Sequence, residues 1–139
     1  MLKVKVVLVA TMIMITGISL TAQDKNTQAA QICKDLDSCK RELDEIESAV
    51  EKRYRRDSLF LKAFDRERKA WKIYCSARIA LKFPEKDTKN AYGDMYPLCL
   101  CLEKIGLIRK RISELQQWSK GVADSLACPG STLIEPDSP

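Results

Sequence analysis

The segment that decides the fold is ICKDLDSCKRELDEIESAVEKRY, residues 32–54. Its apolar side chains recur at every third or fourth position, which is the period of one face of an α-helix. They are Ile32, Leu36, Cys39, Leu43, Ile46, Val50 and Tyr54. Because most of the other side chains are charged, the segment predicts an amphipathic first helix with one face in solvent. We expect Asn26 or Thr27 to cap its start and the helix to end near Arg55 and Arg56.

A second apolar stripe predicts a second helix. Its members are Phe60, Phe64, Trp71, Tyr74, Cys75 and Ile79. The charged pair Glu67 and Arg68 interrupts the stripe, so this face is less regular than the first. Asp57 or Ser58 can cap the helix, because their side-chain oxygens accept hydrogen bonds from first-turn N–H groups. The helix should stop at Phe83, since the following proline disfavours helical geometry in the residue before it.

A third stripe begins at Pro97, a residue type favoured in the first turn of a helix. Its members are Leu98, Leu102, Ile105, Ile108, Ile112, Leu115 and Trp118. Lys120 and Gly121 supply a C-terminal signal. Residues 85–96, between the second and third helices, have no periodicity and contain Gly93, so we expect them to form the longest loop of the domain.

Three amphipathic helices with short or medium connections predict an all-α protein, a three-helix antiparallel bundle stapled by disulfides. The helical domain would span residues 23–121. Residues 122–139 contain three prolines and Gly130, which predicts an irregular C-terminal tail. We expect Cys128 to pin this tail to the bundle.

Composition excludes several classes of function. The chain has 139 residues, of which 31% are charged and 45% hydrophobic, as is typical of one globular domain. It contains no histidine, which excludes histidine-based zinc sites and Ser-His-Asp triads. It also lacks a glycine-rich phosphate loop. We therefore expect no catalytic site, no metal site and no cofactor, and we expect that the protein is not an enzyme.

The N-terminus predicts a secretory signal peptide over residues 1–22. Lys3 and Lys5 precede an apolar segment, residues 6–20, and a small residue, Ala22, precedes the first polar stretch. A membrane-spanning helix needs about 20 apolar residues, so we expect cleavage, a periplasmic or extracellular location and no stable membrane anchor. Cleavage would remove two lysines and no acids, lowering the net charge from +5 to +3. Export and this mild charge argue against a nucleic-acid partner.

Export and an even number of cysteines favour disulfides. The six cysteines are Cys33, Cys39, Cys75, Cys99, Cys101 and Cys128. A helical hairpin that turns near Asp57 places Cys39 opposite Cys75, which predicts a bridge between them. The third helix would run parallel to the first and bring Cys99 and Cys101 near Cys33. Residues two apart on a helix face different ways, so we expect Cys33 to pair with one of these and Cys128 with the other.

Three segments carry a recognisable motif spacing: FDRERKAWKIY (64–74), YGDMYPLCLC (92–101) and RISEL (111–115). Their spacing resembles the lysozyme inhibitor LprI-like family of small exported bacterial helical domains. The positions that match are Phe64, Trp71, Tyr74, Gly93, Pro97, Cys101, Arg111 and Leu115. The forms at 93–99 and 128–131 resemble the branch of the family found in Bacteroides-like bacteria. The chain departs from the family at Cys75 and Ser76, where Arg-Asp is usual, and at Ile79, where a cysteine is frequent.

The resemblance implies a protein that binds lysozyme and thereby protects peptidoglycan. The alternative is a non-catalytic envelope binding or structural protein with no lysozyme target. Common lysozymes are strongly basic, so a domain with a net charge of +3 gains no long-range attraction to them. Binding would then depend on local contacts, an acidic patch or an inserted loop.

The candidate partner surface is the loop 85–96, since loops on rigid scaffolds frequently carry recognition. It offers Tyr92, Met95 and Tyr96 beside Gly93. The alternative for these aromatic residues is that they fold back and cover the end of the bundle.

Three of the motif residues have both a structural and a functional interpretation. We expect Trp71 and Tyr74 to belong to the core, the alternative being a platform for a ligand. We expect Arg111 to form an internal salt bridge to the acidic face of the first helix. The alternative is that it binds a carboxylate of a partner protein.

Overall fold

A computed structural model describes residues 22–123 and 128–133 of the chain. These residues form four helices, α1 (Ala22–Arg53), α2 (Ser58–Lys82), α3 (Thr88–Tyr92) and α4 (Tyr96–Lys120). The all-α prediction is confirmed, but the count of three helices is wrong. The additional helix, α3, is a single short turn inside the segment that the aperiodic sequence predicted to be a loop.

Local capping residues set the ends of α2 and α4 close to where the sequence places them, whereas the predicted caps of the first helix, Asn26 and Thr27, lie inside α1, which begins at Ala22. The Asp57 carboxylate accepts a hydrogen bond from the N–H of Phe60 at 2.9 Å, which caps α2. Phe83 ends α2, and Gly121, at φ 104°, ends α4. The short α3 escaped the periodicity argument because five residues are too few to show a period. Its cap is Asp87, which accepts a hydrogen bond from a first-turn N–H.

The three long helices form a bundle in which α1 and α4 run parallel and α2 runs antiparallel to both. The disulfide Cys33–Cys101 joins α1 to α4 near their N-terminal ends. Near their C-terminal ends, the guanidinium of Arg53 donates to the carbonyl of Ser119 at 3.2 Å. The backbones of α1 and α4 approach each other most closely, and α2 lies farther from both.

The core lies between the three long helices and consists of members of the predicted stripes, although Leu102 of the third stripe is 49% exposed. Its buried members are Leu36, Cys39, Leu43, Val50, Tyr54, Phe64, Ile105, Ile108, Ile112 and Leu115. At one end, Tyr54 and Phe60 stack with ring centroids 3.8 Å apart, and Trp118 packs against both. Aromatic rings supply large apolar area there, which a thin bundle requires.

The cysteine pairing differs from the prediction in two respects. Cys33 pairs with Cys101, one of its two predicted partners. The predicted bridge between Cys39 and Cys75 does not form: both are free thiols, and Cys39 is buried in the core. The backbones of α1 and α2 lie farther apart than those of α1 and α4, and a disulfide requires Cα atoms within about 7 Å of each other.

The C-terminal tail is irregular where the structure describes it, but Cys128 does not pin it. Cys99 and Cys128 are free thiols, and Cys128 is exposed. Backbone groups hold the tail instead. The N–H of Leu133 donates to the Tyr54 hydroxyl at 3.0 Å, and the N–H of Val122 donates to the carbonyl of Leu133 at 3.0 Å. The tail therefore caps the aromatic end of the bundle without a covalent link.

Matched leucine substitutions test the position of the core. Leu115 is 2% exposed and Leu59 is 79% exposed. Leu115→Ala should lower the free energy of unfolding by about 2–5 kcal/mol, because it removes buried methyl groups and leaves a cavity. Leu59→Ala should change it by less than about 0.5 kcal/mol. Urea denaturation followed by circular dichroism measures both, and equal effects would contradict the packing described above.

The disulfide makes a second prediction. Cys33→Ser should lower the free energy of unfolding by about 4 kcal/mol, because the bridge closes a loop across a sequence separation of 68 residues. Cys128→Ser, which removes an exposed free thiol, is the control and should have little effect. Peptide mapping of the oxidised protein by mass spectrometry should recover Cys33 linked to Cys101, and a Cys39–Cys75 linked peptide would overturn this pairing.

Candidate functional site

Several family-motif residues gather around the side chain of Arg111, which is 4% exposed on α4. Its guanidinium lies 5.9 Å from the centroid of the Phe64 ring and 5.6 Å from that of Trp71. Both terminal nitrogens donate to the two carboxylate oxygens of Glu67, one to each. A planar guanidinium suits this arrangement because it makes paired hydrogen bonds along its edge and stacks on aromatic rings through its face.

A second carboxylate connects this cluster to α1. Glu47 is buried, with one oxygen 4.0 Å from Arg111 and the other 3.7 Å from Arg68 of α2. Burial raises the pKa of the Glu47 carboxyl, although Arg68, Arg111 and Lys72 oppose that change. Arg68 also donates to Glu51 at 2.9 Å. The cluster thus links α1, α2 and α4 through charged groups.

The structure corrects two expectations about motif residues. Arg111 does form an internal salt bridge, but its main partner is Glu67 of α2, and the acidic face of α1 contributes only Glu47 at 4.0 Å. Tyr74, expected in the core, is 51% exposed. Trp71 is partly buried and packs against the core. The Nε atom of Arg111 is buried and has no hydrogen-bond partner among the described residues.

A shallow groove of about 370 Å³ adjoins this cluster. Its lining residues are Glu67, Ala70, Trp71, Tyr74, Leu107, Lys110, Arg111 and Glu114. The charge of Arg111 is already paired with Glu67 inside the protein, so binding a partner's carboxylate would require that pair to break. The arrangement is therefore suited to holding helices together rather than to binding a ligand.

The end of the bundle near α3 carries a second candidate site, the loop 85–96. Three rings pack together there: Phe83 lies 5.3 Å from Tyr92 and 5.1 Å from Tyr96, and the two tyrosines stack at 5.7 Å. The hydroxyl of Tyr92 accepts a hydrogen bond from the N–H of Glu85 at 3.0 Å. These contacts fix the loop, as expected if the aromatic residues fold back on the end of the bundle.

The tip of this loop, residues 93–95, is exposed, as are residues 84–87 and 89–91. Gly93 adopts φ 69°, a left-handed conformation that favours glycine, and turns the chain between α3 and α4. The next two residues, Asp94 and Met95, are exposed, and Met95 retains 45% of its surface. Of the three residues predicted to form the partner surface, the structure leaves Met95 available and packs Tyr92 and Tyr96 beneath it.

The sequence analysis did not identify Glu67, the main partner of Arg111, although a signal was present. Glu67 lies between Phe64 and Trp71 on the apolar stripe of α2, where its charge interrupts the pattern. A charged side chain at that position can reach a cation on a neighbouring helix, and the buried Arg111 needs such a partner because an unpaired buried charge is unfavourable by several kcal/mol. Glu47 lies beside the α1 stripe in the same way.

The described residues contain no group of three or more metal-ligating side chains. Within residues 22–123 and 128–133, no helix is long and apolar enough to cross a membrane. The predicted signal peptide lies outside the described residues, apart from Ala22 at the start of α1.

The fold and these two sites define a small, disulfide-linked helical domain that presents a fixed loop at one end. The family model described as "Lysozyme inhibitor LprI" matches residues 19–115. The chain therefore belongs to the lysozyme inhibitor LprI family. No curated protein matches the chain, and no solved structure matches it.

The buried carboxyl of Glu47 makes a pH-dependent prediction. Its pKa in the folded protein is raised above the ordinary value of 4.5, so protonation of Glu47 favours the folded state. Glu47→Gln does not titrate at this position and serves as the reference. Relative to this variant, the free energy of unfolding of the wild-type protein should fall as the pH rises from below 4.5 through the raised pKa. Urea denaturation of both proteins at about pH 4 and about pH 7 measures this. If the free energy of unfolding of the wild-type protein instead rose with pH relative to that of Glu47→Gln, this result would contradict the burial of Glu47.

Proposed function

We propose that this protein is an exported, non-catalytic inhibitor of lysozyme that protects peptidoglycan from hydrolysis. The observation that carries the proposal is the family match over residues 19–115, which includes α1, α2, α3 and most of α4. Inhibition of this kind needs no chemistry from the protein. It requires a surface that occupies the substrate cleft and stays bound.

We propose the tip of the loop 85–96 as that surface. Its backbone is already ordered by the rings of Phe83, Tyr92 and Tyr96. A surface that is rigid before binding loses little conformational entropy on association, and this improves affinity. Met95 offers an exposed apolar side chain and Asp94 an exposed carboxylate.

The net charge of the protein favours a short-range contact at the loop tip over long-range electrostatic attraction to the enzyme. After removal of residues 1–22 the net charge would be +3, the same sign as that of common lysozymes. A positive domain gains no steering towards a positive enzyme. A projecting carboxylate such as that of Asp94 provides local complementarity, and it approaches the enzyme ahead of the basic helices.

Export belongs to the same proposal. A lysozyme inhibitor must lie in the compartment where peptidoglycan is attacked. The basic residues and the apolar segment within residues 1–22 would direct export to that compartment as a signal peptide. The disulfide Cys33–Cys101 is compatible with an oxidising compartment.

The test is the rate of lysis of a peptidoglycan suspension by several lysozymes, with and without the purified oxidised protein. We expect protection at near-stoichiometric ratios. The double variant Asp94→Ala/Met95→Ala should need at least about tenfold more protein for the same protection, equivalent to about 1.4 kcal/mol of binding free energy. The matched control, Asp44→Ala/Leu59→Ala, removes an exposed acid and an exposed apolar side chain from other surfaces and should behave as wild type.

Two results would count against different parts of the proposal. Protection that the loop variant retains in full would keep the inhibitor function and exclude the loop tip as its surface. No protection against any lysozyme, from protein with the Cys33–Cys101 bridge intact, would favour the alternative of an envelope binding or structural protein.

A further inference from the structure

A groove on the side of the bundle, separate from the loop 85–96, has no role in the proposed inhibition. It lies where α1, α2 and α4 meet midway along their length, and it has a volume of about 320 Å³. This is within the range of small-molecule sites in proteins, which begins near 300 Å³. The backbones of α1 and α2 lie farther apart than those of α1 and α4, and the free thiol Cys75 lines the groove.

The floor and walls of this groove are apolar. They are formed by Leu36, Trp71, Cys75, Ile79, Leu107 and Ile108. Trp71 lines the groove, and the guanidinium of Arg111 lies 5.6 Å from the centroid of its ring. Such a floor favours a flexible apolar chain, because its burial removes hydrocarbon surface from water.

Three lysines, one from each helix, surround this apolar floor. They are Lys40 of α1, Lys72 of α2 and Lys104 of α4, and none of the described residues that line the groove is acidic. Lys40 reaches the exposed carboxylate of Asp37 at 2.9 Å. Among the described residues, neither Lys72 nor Lys104 makes an ion pair, although Glu47 lies near enough to Lys72 for its pKa to respond to that charge.

We propose that this groove binds a free, single-chain carboxylate of the fatty-acid class. The hydrocarbon chain lies along Leu36, Trp71 and Ile108, and the carboxylate meets the ammonium groups of Lys72 and Lys104. An anion with no apolar part would leave the floor exposed to water, and a neutral or cationic chain would leave the lysines without a partner. The anionic amphiphile is the ligand class that satisfies both features of the site.

Isothermal titration calorimetry of the oxidised full-length protein with dodecanoate, below the concentration at which it forms micelles, tests this proposal. We expect one molecule to bind per chain. Dodecyltrimethylammonium, which has the same chain length and the opposite charge, should bind at least tenfold more weakly. The intrinsic fluorescence of Trp71, isolated by Trp118→Phe, should change on addition of dodecanoate and locate the ligand in the groove.

Paired lysine variants separate this groove from general charge effects. Lys72→Gln/Lys104→Gln should weaken dodecanoate binding at least tenfold. The control Lys62→Gln/Lys110→Gln removes two exposed lysines from the same two helices, outside the groove, and should bind as wild type. Ser76→Trp, a substitution at an exposed position on the rim, should block the groove without changing the core.

Three results would overturn the proposal: no binding below the micellar concentration, equal binding of the two amphiphiles, or equal loss in the two lysine pairs. The lysozyme assay does not depend on this site. Inhibition of lysozyme without dodecanoate binding would therefore reject only the proposal for the groove. Dodecanoate binding without inhibition would reject only the proposed inhibitor function.

Discussion

The guanidinium of Arg111 is the point at which the three long helices are joined. A buried cation is strongly unfavourable unless it is paired, so its position requires both Glu67 of α2 and the nearby Glu47 of α1. The rings of Phe64 and Trp71 hold the planar group between them. If α4 slid or rotated against α2, the pair with Glu67 would be lost and a charge would remain in an apolar interior. The cluster therefore favours one register of the three long helices.

This register positions both candidate surfaces. On one side, it places Trp71 in the wall of the groove lined by Lys40, Lys72 and Lys104, with the guanidinium of Arg111 5.6 Å from the centroid of the Trp71 ring. Towards the other end, the Cys33–Cys101 bridge fixes the start of α4, and Lys82 of α2 pairs with Glu103 at 2.5 Å. The loop 85–96 leaves α2 and enters α4 beside these links. Both ends of the loop are therefore anchored, and the rings of Phe83, Tyr92 and Tyr96 pack together between them.

Much of the architecture follows from local sequence. The apolar stripes identify the buried faces, and Asp57, Phe83 and Gly121 end the long helices where capping chemistry predicts. Such signals act over one or two turns, so a single sequence reveals them. The match with the family follows from motif spacing, which is also a property of the sequence. The short α3 was not predictable, because five residues do not establish a period.

Contacts between helices were less predictable, and for a common reason. The spacing of apolar residues indicates which face of a helix is buried, but it does not indicate how far apart two helices lie. The hairpin pattern placed Cys39 opposite Cys75, yet both remain free thiols in a bundle where α2 lies farther from α1 than α4 does, whereas the close approach of α1 and α4 accompanies the Cys33–Cys101 bridge. The amino-acid order thus determined the helices, their buried faces and the family, whereas interhelical distance, set by side-chain packing around Arg111, decided which cysteines bond and which surfaces remain open.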